Sequence, residues 1–323
     1  EAKREVVRYA DVAELPHQDP AADILIRVSH SALNYKDGLV LTGAPGVASK
    51  FPIVPGIDCA GTVLEDKSGR FRQGQSVVLT GHYAGQRMDG GYSDLIRTKS
   101  EWVVPLPAFL SEREAMIIGT AGFTAMQCVM HLERLGGLVR GERRPVLVTG
   151  AAGGVGSVAV AILSHLGYNV VASSGRKAEL EGFLKKLGAK EVIDRLGPGK
   201  PLNKETYAAA VDTVGGVTLA SALASMMYGR AVATCGLAGD SALQTTVMPF
   251  ILRAVKLLGV DSVQAPMEER TAVWEALATS LPRALLSDLA SEHSLEDVVG
   301  ELGANILQGK VKGRAVVRLT VPA

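Results

Sequence analysis

The residues with the most specific chemistry are the glycines of Thr149-Gly-Ala-Ala-Gly-Gly-Val-Gly156, set between an apolar run, Val146–Val148, and a helix-forming stretch, Ser157–Leu166. Gly150 permits a tight turn, Gly153 lets backbone amides approach a pyrophosphate, and Gly156 lets the helix pack close to the strand. Phosphates would sit at the helix N-terminus, where free N–H groups and the helix dipole favour anions. Ala152, Gly154 and Val155 complete the expected turn. The next strand, Asn169–Ser173, leads into Ser174, Arg176 and Lys177. A carboxylate there would accept from a ribose 2′-hydroxyl. The hydroxyls of Ser173 and Ser174 and the cations of Arg176 and Lys177 suit a 2′-phosphate instead. NADP(H) is therefore the expected cofactor.

These residues need a parallel sheet to hold them. Expected strands at Val146–Thr149, Asn169–Ser173, Glu191–Ile193, Ala209–Val214 and Arg230–Cys235 alternate with helical stretches, one of them Lys177–Leu187 ending at Gly188. That order predicts a Rossmann-type doubly wound sheet covered on both faces. Ahead of it, Asp23–His30, Ala60–Glu65 and Gln75–Thr80 read as short strands separated by proline and glycine turns, which suggests a small barrel-like domain. Ser111 and Glu114 form a capping box that opens a helix. Gly313–Thr320 reads as a strand returning to the first domain. The expected division is 1–118 for the β-rich domain, 119–262 for the nucleotide domain, and 263–323 for a segment completing the first.

An apolar content of 47% with 21% charged residues describes an ordinary globular chain, and 323 residues suit two domains better than one. A net charge of +1 gives no electrostatic argument for nucleic acid or an anionic membrane. No apolar run is expected to reach the roughly twenty residues that span a bilayer. Cys59, Cys128 and Cys235 make neither a disulfide framework nor a zinc spacing, so a reducing compartment is expected. The chain opens at Glu1 without methionine. An upstream segment, a first strand or a removed targeting peptide, is expected before it, which leaves a cytoplasmic or organelle-matrix location open.

Asn34-Tyr-Lys-Asp-Gly38, Pro52-Ile-Val-Pro-Gly-Ile-Asp-Cys-Ala-Gly61, Asp89-Gly-Gly-Tyr92, the glycine turn and Val260-Asp-Ser262 together resemble the zinc-independent medium-chain dehydrogenase/reductases, over nearly the whole length. The first two motifs resemble the acryloyl-CoA reductase branch, whose relatives are often labelled quinone oxidoreductases. The resemblance implies a GroES-like barrel domain plus a Rossmann domain, with NADPH in the cleft between them. It also implies a homodimer extending the Rossmann sheet near Val247–Val263, the alternative being a helix and strand buried within one chain. Zinc-dependent relatives carry Gly-His-Glu where this chain has Gly56-Ile57-Asp58. No tetrahedral ligand set can be assembled from what remains, so catalysis without metal is expected.

Without a metal to polarise a carbonyl, conjugate reduction is the expected reaction. Hydride goes to the β-carbon of an enoyl thioester, charge develops on the thioester oxygen, and the α-carbon takes a proton. The candidate group is Asn34, Tyr35, Lys36 and Asp37: Asn34 as an amide donor, Tyr35 as donor or acid, and Asp37 orienting Lys36 or a nearby arginine. The plain structural alternative is that Asn34 caps a turn and Asp37 starts a short helix. Tyr83 is a second candidate acid, or else a rim aromatic. Arg314 is a cleft-facing arginine by the resemblance, or else a strand-pairing one. Thr124, Thr213, Gly236 and Leu237 are expected to contact the cofactor.

The substrate expected from the resemblance is a short-chain coenzyme A thioester, most specifically acryloyl-CoA reduced to propanoyl-CoA. An NADPH:quinone oxidoreductase and a non-catalytic NADPH-binding sensor or partner remain open beside it.

Overall fold

The structure, a computed structural model, describes residues 3–7 and 19–319. Two compact units divide the chain. One runs to Thr120 and takes in Ser262–Glu275 and the stretch from Leu286 onward; the other comprises Ala121–Asp261 and Ala276–Leu285. The expected unbroken return segment, 263–323, is thereby corrected in one stretch. The helix Met267–Ser280 crosses the boundary, and the residues after Glu275, with Leu277 and Leu281 buried, go with the nucleotide unit.

The first unit is built on a seven-stranded sheet. Its strands are β1 (Ile24–Leu33), β2 (Asp58–Asp66), β3 (Ser76–Thr80), β4 (Leu95–Thr98), β5 (Val103–Pro105), β12 (Ala290–His293) and β13 (Arg314–Arg318). The order is β12-β13-β1-β2-β3-β5, with β4 also pairing β1. β1 is buried at Ile24, Ile26 and Val28, and these join Val63, Val77, Leu79, Ile96 and Val317 in the core. Alternate burial along β1 matches the period of two expected for a strand with one face inward. The tail strand pairs antiparallel with β1, Leu33 opposite Ala315. Thr320, the last residue expected in it, lies outside the described residues.

In the second unit β6 (Val146–Val148), β7 (Val170–Ser174), β8 (Glu191–Asp194), β9 (Tyr207–Asp212), β10 (Met226–Thr234) and β11 (Lys256–Gly259) form a parallel sheet ordered β11-β10-β9-β6-β7-β8. All of Val146–Val148 and Ala208–Val211 are fully buried, as both faces of such a sheet require.

Four helices bear on the site. α1 (Tyr35–Leu41) follows β1, α2 (Glu112–Arg134) runs from the first unit into the second, α3 (Gly154–His165) follows β6, and α4 (Lys177–Lys186) follows β7. Ser111 and Glu114 cap α2 reciprocally, the Ser111 N–H donating to Glu114 at 2.8 Å and the Glu114 N–H donating to Ser111 Oγ at 3.2 Å. By length and composition α2 could cross a membrane, contrary to the reading of apolar runs. Its most apolar window is 83% buried inside the protein, which marks a core helix.

Candidate active site and cofactor cradle

Strand register builds a buried polar cluster in the first unit. Because Leu33 faces Ala315, Arg314 lies beside Asn34, and because Ser31 faces Cys59, Asp58 lies within reach of both. The Asn34 amide nitrogen donates to Asp58 Oδ2 at 2.9 Å and to Ala32 O at 3.3 Å, while its oxygen accepts from Arg314 Nη1 at 3.1 Å. Arg314 also donates to Ile117 O at 2.9 Å and Leu33 O at 3.3 Å, and its Nη2 stands 3.7 Å from Asp58 Oδ2. Asp58 further accepts the Thr120 N–H at 2.8 Å and the Thr120 hydroxyl. Gly119 makes this possible: at φ 49° it breaks α2, and a Cβ there would stand 2.5 Å from Asp58 and 2.7 Å from Arg314. Burial pushes the Asp58 carboxyl up and the Arg314 guanidinium down, each opposed by the other's charge.

Asp37 is fully buried beside this cluster. Its oxygens accept the N–H groups of Asn34 (2.9 Å), Ile57 (2.9 Å) and Gly56 (3.1 Å). The three donors favour the carboxylate, but burial and the Asp58 charge outweigh them and raise its pKa to about 7. A group raised in the folded state stabilises most below its unfolded pKa of 3.8 and loses that contribution as pH rises to about 7. Unfolding stability of the wild type therefore declines between pH 4 and 7 on this account. Asp37→Asn should flatten that slope in denaturant titrations across the range; an unchanged slope would assign it to other groups.

Three expected roles are corrected here. Both Asn34 amide hydrogens are already spent inside the protein, so no donor is left for a substrate oxygen. Asp37 holds backbone amides rather than Lys36 or an arginine. Arg314 is 1% exposed and faces the cluster, not a cleft. What the cluster does is fix the start of α1, whose first two residues are Tyr35 and Lys36, both half-buried. The Tyr35 hydroxyl makes no hydrogen bond among the described residues, so it keeps its donor. Tyr83 is half-buried, with the Arg87 guanidinium 3.8 Å over its ring.

The second unit carries the glycine turn. Gly150 has φ 58°, and a Cβ on Gly156 would stand 2.3 Å from Gly150 O, so the helix can approach the turn only without a side chain there. Gly153 is the N-cap of α3 and supplies no side-chain cap, while Gly153, Gly154 and Val155 are partly exposed. Their amides fit an incoming phosphate. Ala152 is buried against the turn, and Thr124 is buried within α2. The Thr213 hydroxyl donates to Thr149 O at 3.0 Å, tying the ends of β6 and β9. Gly236 follows β10 against the Thr213 carbonyl, and Leu237 beside it is 57% exposed.

At the end of β7 the structure changes the expected cast. Ser173 is 1% exposed and its hydroxyl donates to Asp194 O at 3.0 Å, which takes that donor from a 2′-phosphate. Ser174 Oγ accepts the Arg176 N–H at 3.1 Å and caps the turn. Arg176 pairs with Glu179 at 3.3 Å and remains partly exposed, as does Lys177. Sequence reading missed Arg195. Ser174 faces Asp194 across the parallel pair, so the next residue along, Arg195, lies beside Gly175. A Cβ on Gly175 would stand 3.0–3.3 Å from the Arg195 guanidinium, which covers that glycine. The clue in the sequence was a cation two residues beyond the expected third strand, Glu191–Ile193.

A metal does not fit the first unit. Among the described residues no group of three His, Cys, Asp or Glu side chains is arranged to hold one. Ile57 offers no ligand atom, Asp58 is committed to Arg314, Asn34 and Thr120, and burial pushes the Cys59 thiol up to about 12.

A turn built for a dinucleotide pyrophosphate, joined in one chain to an antiparallel β unit, defines an oxidoreductase of the two-domain dehydrogenase class. Residues 20–108 match the alcohol dehydrogenase GroES-like domain and residues 154–279 the zinc-binding dehydrogenase family. The chain belongs to the medium-chain dehydrogenase/reductase superfamily, in its acryloyl-CoA reductase branch. It is 48% identical to the probable acrylyl-CoA reductase AcuI of Escherichia coli K12, over 93% of this chain and 92% of that one. The acrylyl-CoA reductase AcuI of Ruegeria pomeroyi is also 48% identical, over 92% and 90%. The putative quinone oxidoreductase YhfP of Bacillus subtilis is 46% identical, over 93% and 91%. Among solved structures, the yhdH oxidoreductase of Salmonella enterica in complex with NADP superposes with a TM-score of 0.92 at 47% identity, covering 98% of this chain and 95% of that one. YhdH of E. coli K-12 with bound NADPH gives 0.91 at 46%, covering 97% and 95%.

Proposed function

We propose that this chain is an NADPH-dependent enoyl-thioester reductase that converts acryloyl-CoA to propanoyl-CoA without a metal. The observation that carries the reading is 48% identity, over more than nine-tenths of the chain, to two proteins named acrylyl-CoA reductase. NADPH, when bound, supplies the hydride that adds to the β-carbon. The first turn of α3 holds its pyrophosphate, and Arg176, Lys177 and Arg195 hold the 2′-phosphate. Tyr35 donates to the thioester oxygen or hands a proton to the α-carbon, from a helix end fixed by Asn34, Asp37, Asp58 and Arg314. With NADPH deuterated at the transferred position and acryloyl-CoA as substrate, deuterium should appear at C3 of the propanoyl product and a solvent proton at C2. Deuterium at C2, or none in the product, overturns the reading.

If Tyr35 serves the thioester, Tyr35→Phe lowers kcat about tenfold to a hundredfold while NADPH affinity stays near wild type, the range typical of losing a positioned proton donor. Unchanged kcat removes Tyr35 from the mechanism.

A quinone reductase is the second reading, favoured by the 46% identity to a putative quinone oxidoreductase. A homodimer is the proposed assembly. β11 is an edge strand paired only to β10 among the described residues, with Leu257 36% exposed on it and Val247, Ile251 and Leu252 at least 55% exposed just before it. Free Cys59, Cys128 and Cys235, the last two hydrogen-bonded to each other, accord with a reducing, cytoplasmic setting.

A further inference from the structure

A groove of about 510 Å³ opens on the first unit, lined by Arg70, His82, Tyr83, Trp102, Gln264 and Met267, with Glu101 its one acid. Hydrogen bonds tie its two sides together. Arg270, fully buried, donates to Thr80 at the end of β3 (2.9 Å) and to the carbonyl of Ser262 (3.0 Å), and the His82 N–H donates to Val263 O at 3.2 Å. His82 and Tyr83 both adopt left-handed backbone, φ 52° and 63°, a conformation non-glycine residues keep mainly where surroundings enforce it, often at ligand sites. The His82 ring stacks on Trp102 with centroids 5.3 Å apart and planes within 2°. Its Nε2 is buried without a hydrogen-bond partner among the described residues. Burial, with Arg270 behind it, brings the His82 pKa down to about 4, so the ring is neutral.

Among the lining residues Arg70 is the cation and Glu101 the acid. Arg87 lies over Tyr83, and Lys99 lies 4.9 Å over Trp102 while pairing with Asp19 at 3.1 Å. Arg70 has no ion-pair partner among the described residues. The volume suits a drug-sized or nucleotide-sized ligand and far exceeds a three-carbon acyl group. The rings of His82, Tyr83 and Trp102 with Arg70 in the same lining, and Arg87 and Lys99 stacked on two of those rings, are a surface for a purine carrying phosphates.

We infer that this groove binds the 3′-phosphorylated adenosine end of the coenzyme A carrier, with Arg70 as its principal phosphate contact. The inference rests on the thioester reading for its biological substrate. Arg70 is exposed on a turn, so Arg70→Glu tests the site without threatening the core.

Steady-state reduction is measured with acryloyl-CoA, its 3′-dephospho analogue and the acryloyl thioester of N-acetylcysteamine. Arg70→Glu should raise the KM for acryloyl-CoA about tenfold, the scale of a hydrogen bond to a charged group. Its penalty on the dephospho and N-acetylcysteamine thioesters should be much smaller, and the KM for NADPH should stay put. An equal KM for acryloyl-CoA in the two proteins, or an equal penalty on all three thioesters, overturns the inference. If the wild type reduces no thioester, the reading of the reaction fails while the groove is still tested by titrating free coenzyme A calorimetrically. About tenfold weaker binding in Arg70→Glu supports the site; equal affinity, or no binding to the wild type, overturns it.

Discussion

Replacing Arg314 by leucine lowers stability by about 3–5 kcal/mol, the cost of leaving a buried charge without its partner. Arg314 is the cation facing two buried carboxylates, Asp58 at 3.7 Å and Asp37 beside it, and it also satisfies Ile117 O, Leu33 O and Asn34 Oδ1. Its loss strands three acceptors and a carboxylate at once. The thermal midpoint should fall by about 10 °C, taking a few degrees per kcal/mol for a domain of this size. The same variant should lose turnover in the fraction that remains folded, because Asn34 no longer has the partner that fixes the start of α1. Thermal unfolding followed by circular dichroism checks the first outcome. A midpoint within about 2 °C of wild type would show that the cluster contributes little.

The second large effect concerns the cofactor. Arg176→Ala with Lys177→Ala should weaken NADPH by about a hundredfold or more while leaving NADH almost untouched, since each charge-assisted contact is worth ~1.5–3 kcal/mol. Arg176 already shares its charge with Glu179, and that exposed pair is worth little and breaks readily. Arg195→Ala alone should cost NADPH about tenfold, again sparing NADH, because its guanidinium lies over Gly175 where the 2′-phosphate would enter. Steady-state KM values for the two nicotinamides, measured side by side, read the difference. Equal losses for NADPH and NADH would refute the assignment of these cations.

Much of the nucleotide unit was legible because its strands are buried on both faces and so read as apolar runs, and because the Gly150–Gly156 spacing answers to backbone geometry. Gly188 ended α4 as expected, at φ 104°. The short strands Leu95–Thr98, Val103–Pro105 and Ala290–His293 went unread, since three or four half-buried residues carry no measurable period. At the site, residue types were legible and partners were not. Asn34 and Arg314 are 280 positions apart, and only the register of β1 against β13 brings them together. Likewise Arg195 reaches Gly175 through parallel pairing of β7 with β8, a contact no local pattern encodes. Asp37 takes the local place its plain structural alternative gave it, accepting the Asn34 N–H at the start of α1, whereas the Asn34 side chain bonds Ala32, Asp58 and Arg314 and the Tyr35 hydroxyl has no hydrogen bond among the described residues.

The most direct test of the central claim is NADPH oxidation at saturating cofactor with acryloyl-CoA, crotonoyl-CoA and a benzoquinone compared under one condition. The account predicts rapid turnover of acryloyl-CoA, slower turnover of crotonoyl-CoA by about tenfold, as one methyl group in a pocket allows, and weak activity on the quinone. Turnover of the quinone alone, with both thioesters inert, would contradict it.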